Sequence, residues 1–250
     1  MSETWQTRLP KPKLRPWVSH LWRSRNNADR FHSILPDGSV DLVIAADCTT
    51  TGSWLFGTST SAADVPLVAG MDYFGVRFRP GQARHFVKLS AKELTDHHED
   101  APRLLPFSIE PMLARWSDAD PFAQVESLLE RHLERSSPES HRIDQVIHWI
   151  EAQNGNVRIE EVAAMYGQSR RQLERIFLDM VGISPKLFSS IVRFQQATRR
   201  LTRSSTSLAE VALASGYSDQ SHMTNDFRRL AGSSPAKFAR QHVAFLQDVD

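Results

Sequence analysis

Two short groups of polar side chains in the C-terminal part of the chain have the types that hydrogen-bond to bases. The first group is Arg170, Arg171, Glu174 and Arg175, and the second is Gln220, Ser221, Thr224 and Asn225. Arginine suits guanine O6 and N7, and asparagine or glutamine suits adenine N6 and N7, in the major groove of DNA. If each group lies on the exposed face of a helix, both groups could read base edges.

The two groups belong to two imperfect copies of one sequence pattern. EVAAMYGQSRRQLERIF begins at Glu161, and EVALASGYSDQSHMTNDF begins at Glu210. In each copy an alanine lies four residues before a glycine; the pairs are Ala163 with Gly167 and Ala212 with Gly216. The small alanine lets two helices approach closely and the glycine suits the tight turn between them, which is typical of a helix-turn-helix.

A polar residue after each turn is expected to cap the second helix of the unit, Ser169 in the first copy and Ser218 in the second. Each second helix has few apolar residues, so most of its surface is predicted to be exposed. Two copies are too few for a solenoid, which needs about three repeats. The pattern therefore predicts a duplicated helical module, and a duplicated scaffold with merely solvated basic helices stays open as the alternative.

The charge of the 250-residue chain is divided unevenly, although its total is only +1. Residues 156 to 242 contain 13 Lys and Arg against 7 Asp and Glu, a balance of +6, whereas residues 1 to 139 contain 16 against 18, a balance of −2. A basic segment favours a polyanion as partner, but a solubilising surface can carry the same balance. Charge alone leaves both interpretations open.

The N-terminal part alternates apolar and polar residues in the manner of half-buried strands, as in SVDLVIAAD from Ser39 and YFGVRFRPG from Tyr73. These runs predict a small β-rich sheet or barrel. Ser90 and Glu93 have the spacing of a capping box, which predicts a helix that begins there and ends, solvated, near His97 and His98. An amphipathic helix is predicted to follow, with Phe122, Val125, Leu129 and Leu133 on its apolar face. This face is expected to pack on its own domain, and a dimer seam is the alternative.

Several kinds of chemistry find no support in the chain. It has no nucleophile elbow, no phosphate-binding loop and no dinucleotide-binding glycine pattern, so an enzyme is not predicted. Cys48 is the only cysteine, which argues against a zinc-bound DNA-repair site and fits a reducing cytoplasm. His97 and His98 are adjacent rather than one helical turn apart, so no metal site and no cofactor are expected. Neither a secretory signal nor a membrane span is found, and a cytoplasmic location is expected.

The C-terminal part resembles the DNA-binding domain of AraC/XylS-family transcription regulators. The resemblance rests on EVAAMYGQSRRQLERIF followed by GISPKLF, on VRFQQATRRL, and on EVALASGYSDQSHMTNDFRRLAGSSPAKF. It implies two helix-turn-helix units joined by one long helix, here about Pro185 to Arg203, in a chain that inserts both recognition helices into successive major grooves. Arg193, Ala197 and Leu201 would act as spacers on the long helix.

The resulting prediction is an α+β fold of two domains. Residues 1–135 form a β-rich sensory or dimerisation domain with flanking helices, and residues 140–245 form the all-α, tandem helix-turn-helix domain. The resemblance implies base contacts by the two groups named first. Phosphate contacts are predicted for hydroxyl and basic side chains, some of which are expected to be only solvated: Ser169, Ser218, Lys186, Arg199, Arg200, Arg203, Arg228, Arg229 and Lys237.

The stretches LPDGSVDLVIAAD and GVRFRPGQARHFV also resemble the N-terminal domain of a subset of these regulators. That resemblance implies a domain that binds a small effector or forms a homodimer and controls contact with double-stranded DNA or RNA polymerase. An effector pocket is predicted around Trp22, His32, Arg77 and Arg79, where the arginines favour an acidic ligand. Solvent exposure of the arginines and a core position for Trp22 are the alternatives, and a ligand-independent architectural DNA-binding protein is the alternative for the whole chain.

Overall fold

The N-terminal part is built on two antiparallel sheets. The computed structural model describes residues 4–25, 27, 30–47, 51–113, 120–203 and 207–242. The larger sheet has the strand order β1-β2-β7-β4-β5-β8, and β3 pairs with β6 in the smaller sheet. The strands are β1 Thr4–Arg8, β2 Val18–Arg25, β3 Arg30–Ile34, β4 Asp41–Ala46, β5 Thr51–Phe56, β6 Ala63–Leu67, β7 Asp72–Phe78 and β8 His98–Asp100.

One face of the larger sheet carries the N-terminal core. Leu42 and Ile44 of β4 and Phe74 and Val76 of β7 are fully buried there, because alternate residues of a strand point to the same face. Three helices follow, α1 Ala101–Leu104, α2 Glu110–Leu113 and α3 Pro121–Ser136. As expected from its periodicity, α3 packs on its own domain; the Phe122 ring meets the Phe74 ring edge-on at 5.1 Å between centroids.

The segment after Ser90 differs from its prediction. The Ser90–Glu93 capping box is present, but it begins only a short 3-10 helix, Ala91–Leu94. Thr95 leaves the helical conformation for an extended one, and Asp96 then takes a left-handed conformation, φ 57°. His98 then lies in β8, paired with Phe56 of β5, so the predicted solvated helix end at His97 and His98 is wrong.

In the described residues from Arg142 to His242, all regular secondary structure is helical. The helices are α4 Arg142–Ala152, α5 Ile159–Tyr166, α6 Arg170–Val181, α7 Pro185–Arg203, α8 Leu208–Ala214, α9 Gln220–Ala231 and α10 Pro235–His242. In the described part of the chain, no helix is long and apolar enough to cross a membrane.

A single helix, α7, packs against both helix-turn-helix units in the C-terminal core. Phe188, Ile191, Phe194 and Ala197 are fully buried along one face of this helix. The Phe188 ring packs on Phe177 of α6, at 5.5 Å between centroids. The next aromatic residue of that face, Phe194, packs on Phe227 of α9, with 4.8 Å between ring centroids. The predicted α+β class, with two helix-turn-helix units joined by one long helix, is therefore confirmed.

Candidate DNA-binding surface

The first helix-turn-helix unit consists of α5 and α6. Gly167 closes α5 at φ 68°, and a Cβ at this position would touch nothing within 4 Å, so the glycine is needed for its backbone conformation alone. Ser169 then caps α6 as predicted. Its hydroxyl accepts the Gln172 N–H at 3.3 Å while the Gln172 side chain accepts the Ser169 N–H at 2.9 Å.

The exposed arginines of α6 fall into two kinds. Arg170 is engaged within the protein, because its guanidinium lies 2.9 Å from Glu160 and 3.0 Å from Glu174. The hydrogen bond that Arg170 donates to Glu174, together with the negative charges of Glu174 and Glu160, raises the pKa of Arg170. Arg171 and Arg175 are also exposed, and within the described residues neither has an ion pair or a side-chain hydrogen bond. These two guanidinium groups are the ones available to a ligand.

The second unit, α8 and α9, begins its second helix one residue later than predicted. Asp219 is the N-cap of α9; its carboxylate accepts the His222 N–H at 2.8 Å, which lowers the pKa of Asp219. Ser218 precedes the cap and donates its hydroxyl hydrogen to Asp219 at 3.1 Å. Because the second copy carries one more residue than the first, Asp219 occupies the capping position that Ser169 has in the first copy.

The predicted base-contact residues of α9 share its outer face. Gln220, Ser221 and Asn225 are exposed, and Thr224 is half-buried. The Thr224 hydroxyl donates to the Gln220 carbonyl at 2.8 Å, so it is already bonded within the helix. Among these residues the amide groups of Gln220 and Asn225 can both donate and accept, as base edges require.

Asp226 lies on the opposite face of α9, which sequence reasoning did not foresee. Only 7% of Asp226 is exposed, and its carboxylate binds Arg229 at 2.7 Å. Burial and the neighbouring Asp226 carboxylate raise the pKa of the Tyr217 hydroxyl. Asp226 is thus a packing residue on the buried side of α9. Arg229, a predicted phosphate contact, already forms an ion pair with it.

The predicted phosphate contacts are spread over several helices. Lys186, Arg199, Arg200, Arg228 and Lys237 are all exposed, whereas the side chain of Arg203 lies outside the described residues. Lys186 also lines a cleft of about 240 Å³ together with Arg158, Arg170 and Arg193. Arg158, which also lines this cleft, was not among the predicted contacts. It lies directly before the first residue of α5, and a basic residue at the start of the first unit was the signal that could have identified it.

The four residues predicted to line an effector pocket have different partners in the structure. Trp22 and His32 both stack on Trp5, with 5.1 Å and 5.5 Å between ring centroids. Arg77 is held by two carboxylates, whereas the Arg79 guanidinium donates to the Arg15 carbonyl at 2.7 Å and is exposed. Trp5, which brings two of the four together, was not singled out in the sequence.

Arg77 and the two carboxylates that bind it form a largely buried cluster on the face of the larger sheet opposite the core. The guanidinium lies 2.7 Å from Asp37 and donates to both oxygens of Asp41, at 3.0 and 3.1 Å. Burial raises the pKa of Asp37, and burial together with Arg77 lowers the pKa of the neighbouring His20 to about 4. The positive charge of Arg77 is therefore already compensated by carboxylates of the same domain.

Comparisons with known proteins cover the two parts of the chain separately. A family profile described as a helix-turn-helix domain matches residues 162–241, and one described as a domain of unknown function, DUF6597, matches residues 6–100. The HTH-type transcriptional activator RhaS of Klebsiella pneumoniae (strain 342) is 30% identical over 115 residues, 46% of this chain and 41% of RhaS. The chain thus spans less than half the length of that relative.

Two further proteins are similar to part of the chain. The probable transcription factor PqrA of Proteus vulgaris is 29% identical over 99 residues, 38% of this chain and 81% of PqrA. The DNA-binding domain of AdpA, solved in complex with a target DNA, is 30% identical with a TM-score of 0.40, over 43% of this chain and 98% of that domain. Through its paired helix-turn-helix units the chain belongs to the AraC/XylS family of transcription regulators.

Proposed function

We propose that this chain is a sequence-specific DNA-binding transcription regulator that inserts α6 and α9 into successive major grooves. The observation that carries the proposal is the equivalent placement of these two polar helices, each after a tight turn and each packed on α7. Arg171 and Arg175 of α6 and Gln220 and Asn225 of α9 would read base edges. The exposed lysines and arginines around them would hold phosphates.

The dimensions of α7 support reading by both helices at once. At about 1.5 Å per residue, its 19 residues extend roughly 28 Å. Successive major grooves on one side of DNA are about 34 Å apart. The first unit packs on α7 at Phe188, near its N-terminal end, and the second packs at Phe194, in its middle, so one helix holds both units.

The RhaS relative is described as a transcriptional activator, which supports activation, with RNA polymerase as a partner, for this chain. We extend the proposal to the division of labour along the chain, with residues 140–245 binding DNA. Residues 1–135 would respond to a small effector or form a homodimer. Trp22 and His32 around Trp5 are the predicted pocket residues that the structure brings together.

The direct test is selection of binding sites from random duplex DNA with the full-length protein. Two enriched boxes about one helical turn apart would support reading by α6 and α9 together. Salt-sensitive binding with no enriched sequence would contradict the proposal and favour an architectural protein. A thermal-shift screen of small metabolites, both acidic and aromatic, with the same protein would then test the effector.

Arg175→Ala is expected to relax the preference at one or two base pairs of the first box by about 1–3 kcal/mol, because the variant loses a bidentate base contact. Arg171→Ala is expected to act in the same way at neighbouring positions. Competition binding with singly substituted duplexes measures both effects.

Arg228→Ala is the matched control for these variants. This residue is exposed near the C-terminal end of α9, and its loss is expected to weaken binding to all duplexes alike while reducing the salt slope by about one. An unchanged preference in both α6 variants would show that these arginines do not read bases.

A further inference from the structure

The C-terminal end of α6 is capped by the N-terminal domain. The last carbonyl groups of a helix have no partner within the helix and must find one elsewhere. Here two of them, and the carbonyl of the capping residue Gly182, accept hydrogen bonds from hydroxyl groups of the other domain: Asp179 from Ser90 at 3.0 Å, Val181 from Thr58 at 2.7 Å, and Gly182 from Thr95 at 2.6 Å. Thr58 is fully buried in this contact.

The two glycines that end the recognition helices differ in their surroundings. Gly182 ends α6 at φ 89°, and a Cβ there would lie 2.9 Å from the Ala91 carbonyl oxygen and from the Thr95 hydroxyl. Gly232 ends α9 in a similar left-handed conformation, but a Cβ there would meet nothing within 4 Å. The first helix end is therefore tightly docked on the N-terminal domain.

The end of α9 contacts the same domain through one backbone hydrogen bond. The Ala62 N–H donates to the Leu230 carbonyl at 2.7 Å. Met180 is the residue of the first copy that matches Leu230, since Phe177 matches Phe227, and it lies between two of the capped residues of α6. Both recognition helices are thus held at equivalent ends.

All four donors come from two segments that are bonded to each other. We call residues 57–62 and 90–96 the clamp. The Asp96 carboxylate accepts the Thr60 N–H and the Thr60 hydroxyl, each at 2.7 Å, and the Asp96 N–H donates to the Thr58 carbonyl at 3.0 Å. A Cβ at Gly57 would lie 1.8 Å from the Leu94 carbonyl oxygen, so the two segments also pack closely. The clamp is therefore one unit with donors for both helices.

We propose that the clamp fixes the separation of α6 and α9 and thereby the spacing of the two boxes that the protein reads; this inference rests on the proposed function. The clamp contacts the C-terminal ends of both helices and leaves Arg171, Gln220 and Ser221, near their N-terminal ends, exposed. The helix α7 joins the two units at their packed faces, and the clamp joins them a second time at their ends. Thr58, Thr95 and Ala62 are positioning residues in this arrangement.

The test compares duplexes that carry the two selected boxes at the selected spacing and at one base pair more or less. In the wild-type protein the selected spacing should bind most tightly. Thr58→Val removes the hydroxyl donor with little change in shape, and Ala62→Pro removes the N–H donor. Each variant should reduce the preference for the selected spacing at least threefold, while the affinity for a duplex with a single box stays unchanged.

Two conservative variants separate this role from general destabilisation. Thr58→Ser keeps the hydroxyl and Ala62→Gly keeps the N–H, so both should retain the wild-type spacing preference. If all four variants keep that preference, the clamp does not set the spacing, although the proposed function stands. If the wild-type protein itself prefers no pair of boxes, the proposed function fails and this inference fails with it.

Discussion

Replacing Phe194 by alanine is expected to lower the free energy of unfolding by about 3–5 kcal/mol, as for other fully buried phenylalanines. Phe194 has no exposed surface, and its ring meets Phe227 edge-on at 4.8 Å and Phe238 at 6.2 Å between centroids. The three rings come from α7, α9 and α10, so the cavity left by the substitution would lie where these helices meet. Urea unfolding followed by circular dichroism measures the change as a shift of the midpoint.

Arg199→Ala provides the control for this prediction. Arg199 is exposed on the same helix, so its loss should change stability by no more than about 0.5 kcal/mol. A midpoint that moves equally little in Phe194→Ala would mean that the packing of α9 does not depend on this ring. The reduced stability should also weaken reading of the second box, because α9 is held on α7 by the Phe194 contact.

The helical half of the fold was predictable because its signals are local. Each unit contains all of its own signals: an alanine four residues before a glycine, a polar cap and a sparse apolar stripe. The same signals occur in both copies of the repeat. The long helix was implied by the resemblance alone. Its confirmation rests on the buried stripe of Phe188, Ile191 and Phe194, which packs on both units.

The errors in the N-terminal part come from contacts between distant residues. His98 lies in a strand because β5, some forty residues earlier in the chain, supplies its partners. Local spacing at Ser90 could predict the cap but not the extended Thr95 that ends the helix after Leu94. Where a strand pairs across such a separation, the tertiary contact outweighs the local pattern.

The candidate site shows the same division. The exposed face of α6 followed from periodicity, but the ion pairs that occupy Arg170 involve Glu160 of α5. On α9, Asp219 and Asp226 are both aspartates, but Asp219 caps the helix, whereas Asp226 is buried against Arg229 and Tyr217. The base and phosphate contacts themselves stay predictions, since they concern a partner that the sequence alone does not contain.

Replacing Arg77 by methionine is expected to destabilise the protein by about 3 kcal/mol near neutral pH, because two carboxylates would lose their common partner. Asp41 lies directly across from Arg77 in the pairing of β4 with β7, and Asp37 approaches from the preceding turn. The side chains of Asp41 and Asp37 are only 14% and 21% exposed, so water cannot replace the guanidinium fully. Arg79→Met, two residues further and exposed, should have little effect on stability.

The pH dependence of Arg77→Met separates loss of charge compensation from loss of packing. Burial already raises the pKa of Asp37 in the folded protein, and loss of Arg77 would raise it further. A carboxyl whose pKa is higher in the folded state binds more protons there, so the penalty is full above that pKa and shrinks as the pH falls through it. Loss of Arg77 would also raise the pKa of His20, which burial first and Arg77 second hold at about 4. The difference in unfolding free energy from wild type should therefore be largest at pH 7–8 and smaller at about pH 5; a difference that is the same at both would mean that Arg77 acts through packing alone.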